Sequence, residues 1–135
     1  MNAISLEKTE FTPRVIFDHV NFKFEIEGES SPEDARHFYA PLLKWIEDFG
    51  NYLHFLYSDS PTATKRDIVF TFHLDYVTSS SLKNLYDLLV KIESLKNYTD
   101  HLLIRWVHDA DDEDMEDNGH EFSKMLKIPF EVVGA

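Results

Sequence analysis

The chain has 135 residues, the size of one domain built on one core. It is 43% hydrophobic and 14% aromatic with only four glycines and five prolines, which is the composition of a packed globule and excludes a disordered chain. Twenty-five Asp and Glu against thirteen Lys and Arg give a formal net charge of −12, so nucleic acid and anionic lipid surfaces are repelled and neither is expected as a partner.

Residues 1–12 read as a flexible lead-in, polar and without the charged-then-apolar order of a secretory signal. They end at Thr12-Pro13, where the proline disfavours helix in the residue before it. A single domain is expected over 13–135. Val15-Ile16-Phe17 is a short apolar strand. Phe22, Phe24 and Ile26 then alternate with Lys23, Glu25 and Glu27, the period of a half-buried strand paired with the first as a hairpin.

Ser30-Ser31-Pro32-Glu33-Asp34 collects helix-start signals: hydroxyl caps, a proline and early acids. Ala35, Phe38, Tyr39, Leu42, Trp45, Ile46 and Phe49 follow in steps of three or four, one apolar stripe of an amphipathic helix. Pro41 predicts a kink or two abutting pieces, and Gly50-Asn51 predicts the stop. Residues 57–66 read as a loop. From Asp67 the chain alternates again, with Ile68, Phe70, Phe72, Leu74 and Tyr76 assigned to one face.

Thr78-Ser79-Ser80-Ser81 separates that strand from a second helical stripe, Leu82, Leu85, Tyr86, Leu89, Ile92 and Leu95. Leu102 to Val107 is apolar on both sides apart from Arg105, as in a strand covered on both faces. Asp109 to Asp117 holds seven acids in nine residues. Phe122, Met125 and Leu126 mark a third helix, and Ile128 to Val133, with Pro129, an edge strand. The order is β-β-α-β-α-β-α-β, an α/β mixed sheet with packed helices.

No arrangement of residues announces catalysis. Without cysteine there is no disulfide, thiolate nucleophile, iron–sulfur cluster or cysteine-bound zinc. Reading from Asp114, an EF-hand would place Met125 where a bidentate Glu is required, so Asp109 to Asp117 reads as an acid-rich helix start favoured by the helix dipole. The seven histidines include no pair at zincin spacing. His73 and His108, on neighbouring strands, are the pair that could meet. No cofactor and no metal is expected, no apolar run approaches the roughly 18 residues that span a bilayer, and the sequence reads as a cytoplasmic non-enzyme. The competing class is a small-ligand-binding or carboxylate-based enzymatic domain using Asp109 to Asp117 or His73 and His108 at the carboxyl ends of the strands.

The hydroxyl cluster has two readings. One hydroxyl caps the helix and the rest are solvated turn residues, or the cluster is a phosphorylation site, since a helix N-terminus presents free N–H groups to a phosphate.

Four segments carry a resemblance to a known family: Thr12-Pro13-x-Val15-x-Phe17-Asp18; Ile26-x-Gly28-x-Ser30-x-Pro32-Glu33 with Phe38-Tyr39-x-Pro41 and Trp45; Leu74-x-Tyr76 through the hydroxyl cluster to Lys83; and Trp106 with Asp111 to Gly119. In order and spacing the chain resembles the SiaC-like family of bacterial regulatory phosphoproteins. The resemblance implies a fold similar to the STAS domains of anti-sigma-factor antagonists. It also implies a non-enzymatic switch in cyclic di-GMP signalling and biofilm control. By this resemblance a Ser/Thr protein kinase would phosphorylate the helix start, a metal-dependent Ser/Thr phosphatase would reverse this, and the unphosphorylated form would bind and activate a diguanylate cyclase. The family's cluster reads Asn-Thr-Ser-Ser with the threonine as acceptor. Ser79 stands in that place here and Thr78 in the asparagine's, so Ser79 is the expected acceptor and Thr78 the runner-up. Adjacency assigns the partner face to Tyr76, Thr78, Ser80, Leu82 and Lys83.

Overall fold

The structure is a computed structural model that describes residues 1–59 and 64–135. Six strands, β1 (Ile4–Leu6), β2 (Arg14–Asp18), β3 (Lys23–Ser30), β4 (Ile68–Val77), β5 (Leu102–His108) and β6 (Phe130–Gly134), lie in one sheet in chain order. The β1/β2 and β2/β3 pairs are antiparallel, and β3/β4, β4/β5 and β5/β6 are parallel. Each parallel step is bridged by a helix: α1 (Ala35–Asp59), α2 (Ser79–Glu93), which runs on into a short 3-10 turn, and α3 (Glu113–Met125). The expected α/β mixed sheet with packed helices is present, and its element order gains one strand.

That strand is β1, inside the segment expected to be a flexible lead-in. Ile4 pairs with Phe17 and Leu6 with Val15, and the Trp45 indole N–H donates to the Asn2 carbonyl at 2.7 Å. Three residues are too few to display a period of two. The hairpin β2/β3 is closed by Asp18, whose Oδ1 accepts from the N–H groups of Val20 and Asn21 at 2.9 and 3.1 Å, an Asx-type turn.

Asp34 starts α1, its carboxylate accepting from the His37 N–H at 3.0 Å. The helix is unbroken through Pro41 and does not stop at Gly50. Proline removes the bond to the His37 carbonyl, but both residues are exposed, so that oxygen is open to solvent and need not be paired within the protein. Gly50 is a packing residue: a Cβ there would stand 3.0 Å from the Tyr98 ring. The expected loop 57–66 therefore begins after Asp59, and residues 60–63 of it lie outside the described residues.

Because the strands follow chain order and parallel crossovers are right-handed, all three helices fall on one side. Trp45 and Phe49 of α1 meet Phe24, and Phe122 of α3 meets Trp106 at 5.3 Å. The core of Phe17, Phe24, Phe70, Phe72, Trp106 and the helical stripes lies between. The opposite face, with Ile16, Val69, Leu103, Arg105 and Val107, is half-buried. This corrects the expectation that Leu102 to Val107 is covered on both sides: its second row of apolar residues faces outward.

Candidate functional site

The site grows from the end of β4. Leu74 pairs with Gly28, but the next rung joins Tyr76 to Glu29, so Asp75 is an extra residue and the strand bulges. A bulge flips the alternation beyond it. Tyr76 consequently leaves the face of Phe72 and Leu74, where the sequence placed it, and is 54% exposed. Glycine is required opposite, since Gly28 sits at φ +122°, a backbone region L side chains rarely occupy.

Beyond the bulge the Thr78 N–H donates to the Ser30 carbonyl at 3.1 Å. Thr78 keeps extended dihedrals, φ −79° and ψ 164°, and its side chain accepts from the Ser81 N–H at 3.2 Å, which makes it the N-cap of α2. Ser79 is the first helical residue and is exposed; Ser80 is also exposed. Ser81 is fully buried. Its Oγ accepts from Ser30 Oγ at 3.0 Å, and Ser30 Oγ lies 2.6 Å from the Tyr39 hydroxyl. Since Ser30 gives its one proton to Ser81, Tyr39 must donate to Ser30. All three residues are fully buried. Burial pushes the Tyr39 phenol up to about 12.

The four hydroxyls therefore divide. Thr78 and Ser81 are structural, the one capping α2 and the other pinning it to β3 and α1, while Ser79 and Ser80 face solvent. Of the other residues assigned to a partner face, Leu82 is half-buried and packs on the core, and Lys83 is exposed. Lys83, Arg36, Asn84 and Asp87 line a groove between α1 and α2, which continues past Ser80 to Glu33 and Asp34. Nothing in the local sequence marks Ser30 and Tyr39 as the support beneath the cluster, because they join it only through tertiary contact.

The acidic segment is a helix start. Asp112 caps α3, accepting from the Met115 N–H at 3.0 Å, with Glu113, Asp114 and Glu116 in the first turn, where the dipole favours them. Gly119 lets α3 approach the sheet, since a Cβ there would fall 2.5 Å from Trp106 Cδ1. His73 and His108 are not brought together. His73 shares its rung with Val107 on the outward face, whereas His108, one residue on, points inward, is buried, and donates from Nδ1 to the Asp109 carbonyl at 2.8 Å. Among the described residues no helix is long and apolar enough to cross a membrane.

Comparison with known proteins agrees with this geometry. The solved structure of apo-SiaC from Pseudomonas aeruginosa superposes with a TM-score of 0.79 at 21% identity, covering 99% of this chain and 100% of that one. SiaC in a complex with the diguanylate cyclase SiaD, of which it is described as the activator, superposes with 0.79 at 21% identity over 98% of this chain and 99% of that one. An uncharacterised protein of Pseudomonas aeruginosa strain UCBPP-PA14 is 23% identical over 132 residues, 98% of this chain and 96% of its own length. The model of the SiaC family of regulatory phosphoproteins matches residues 6–135, and the chain belongs to that family.

Proposed function

We propose that the chain is a non-catalytic phosphoswitch: with Ser79 unmodified it binds and activates a diguanylate cyclase, and phosphorylation of Ser79 releases that partner. A Ser/Thr kinase and a metal-dependent Ser/Thr phosphatase set the balance. The observation that carries the reading is the division of the cluster. Ser79 is exposed at the first position of α2, whereas the runner-up, Thr78, has its oxygen engaged as the cap. Modifying Ser79 leaves the fold's hydrogen bonds alone.

A phosphate adds about −1.5 to −2 charges. On the free protein, the unpaired N–H groups and dipole of the α2 N-terminus offset that charge. Within a desolvated interface, the added charge and bulk cost affinity unless cations answer them. Tyr76, raised by the bulge beside the cluster, together with Thr78, Ser80 and Lys83, forms the surface on which a partner would feel the change, with Leu82 supporting it from below. That SiaC of Pseudomonas aeruginosa is found in a complex with a diguanylate cyclase supports the choice of partner.

The test is a pull-down from the native host with wild-type, Ser79→Ala and Ser79→Asp baits, read by mass spectrometry, followed by cyclase assay of any retained diguanylate cyclase. The expected result is a cyclase held and activated by Ser79→Ala and lost with Ser79→Asp. Equal retention by all three baits would refute the switch.

A further inference from the structure

The outward face of the sheet carries a second cluster that the switch does not use. His73 stands on the outward face of β4, Asp75 is the extra residue of the bulge two positions on, and Asp109 follows the end of the adjacent β5. One ligand atom from each lies within 4.8 Å of the other two. We propose that His73, Asp75 and Asp109 form a binding site for a first-row divalent cation of the Zn2+ type, at the carboxyl end of the parallel strands and distinct from the hydroxyl cluster.

Three observations point the same way. The first is distance. His73 Nε2 stands 3.4 Å from Asp109 Oδ1, a hydrogen bond or ion pair at its long limit rather than one closed to about 2.7–2.9 Å as in a strong charge-assisted bond. It is the separation of two donors sharing a tetrahedral cation at about 2.0–2.1 Å from each, which is about 3.4 Å. The second is the rigidity of the frame. His73 is held in the β4 ladder between Glu27 and Val107, and the Asp109 carbonyl accepts from both His108 Nδ1 and the Asp112 N–H, at 2.8 and 3.0 Å. Only the exposed carboxylates of Asp75 and Asp109 must turn to close the triad. The third is donor chemistry. One imidazole with two carboxylates favours Zn2+, Mn2+ or Co2+ over Mg2+ and Ca2+, whose sites are built from oxygen alone, and three protein ligands leave a coordination position for water. Sequence spacing hides the set because its third member lies 34 residues on, just past the end of the neighbouring strand.

The experiment is calorimetric titration of the full chain with Zn2+, repeated with Co2+ to read its visible absorption, and with Mg2+ as the oxygen-seeking control. Variants are His73→Ala, His73→Gln, which fills the same space if alanine disturbs the sheet, and Asp109→Asn, with Asp114→Asn in the first turn of α3 as a control for the acidic segment. Circular dichroism verifies each fold. The expected result is one tight Zn2+ equivalent and a Co2+ spectrum with nitrogen–oxygen coordination. Affinity should fall about tenfold or more in the His73 and Asp109 variants, since loss of even an outer-shell partner costs that much, and stay unchanged in Asp114→Asn. Absence of binding, Zn2+ affinity indifferent to His73, or Mg2+ binding as tightly as Zn2+ would each overturn the proposal. None of these readouts involves the partner, so the outcome is independent of the switch.

Discussion

An alanine scan of the four hydroxyls should split them by energy as the structure splits them by position. Ser81→Ala removes the acceptor of the Ser30 proton in a site with no exposure. The buried Ser30 O–H loses that acceptor and the chain of hydroxyls loses one of its two hydrogen bonds, at a cost of about 2 kcal/mol. Thr78→Ala removes a cap, worth about 1 kcal/mol. Ser79→Ala and Ser80→Ala touch exposed side chains and should stay within about 0.5 kcal/mol of wild type. At about 2.1 cal/mol/K per residue, 135 residues carry an unfolding entropy of about 0.28 kcal/mol/K, so each kcal/mol lowers Tm by about 3.5 °C. The expected drops are then about 7 °C for Ser81→Ala, about 3.5 °C for Thr78→Ala and under about 2 °C for the exposed pair. Urea unfolding followed by tryptophan fluorescence suits the question, because Trp45 and Trp106 are 5% and 1% exposed and both report the core. If Ser79→Ala proved as costly as Thr78→Ala, or Ser81→Ala as harmless as Ser80→Ala, the division of the cluster would be wrong.

Gly119→Ala should destabilise by about 3 kcal/mol, because the new Cβ meets an indole that is itself tied to the Met115 carbonyl at 3.0 Å; a urea-derived loss under about 1 kcal/mol would show that α3 can move aside. Tyr39 predicts an alkaline weakness. Its folded pKa, about 12, stands above the ordinary 10.0, so between these values the unfolded chain releases the proton first and stability falls as pH rises. The stability gap between wild type and Tyr39→Phe should therefore narrow across that window and stay constant below it, and a gap independent of pH throughout would contradict the burial argument.

What the sequence disclosed was governed by short-range pattern. The alternation of Ile68, Phe70, Phe72 and Leu74, the stripe from Ala35 to Phe49, and the hydroxyls at the head of α2 each express a rule acting over a few residues, and each is found where expected. Expectations failed where a distant contact decides. The alternation assigns Tyr76 inward because the bulge at Asp75 depends on pairing with β3. Gly50 reads as a stop because the ring of Tyr98, which it accommodates, is remote in sequence. The outward row of Leu103 and Val107 looked buried because a half-buried apolar row without helices over it resembles a covered one by composition. For the same reason Ser30 was legible only as a helix-start residue, although its hydroxyl joins Tyr39 to Ser81.

The strand order of the sheet bears on how the chain reaches its fold. Every strand pairs with its immediate predecessor, so no strand waits for a later one to be inserted beside it, and each closure spans at most one helix and its connections. Loop-closure entropy is then met in small successive instalments, and the contacts remain of modest sequence separation for a sheet protein. During synthesis the β1–β3 meander can form first and offer β3 as a template, with each following helix–strand unit adding at one growing edge. The Ser30 end of β3, on which the start of α2 later docks, belongs to that earliest piece.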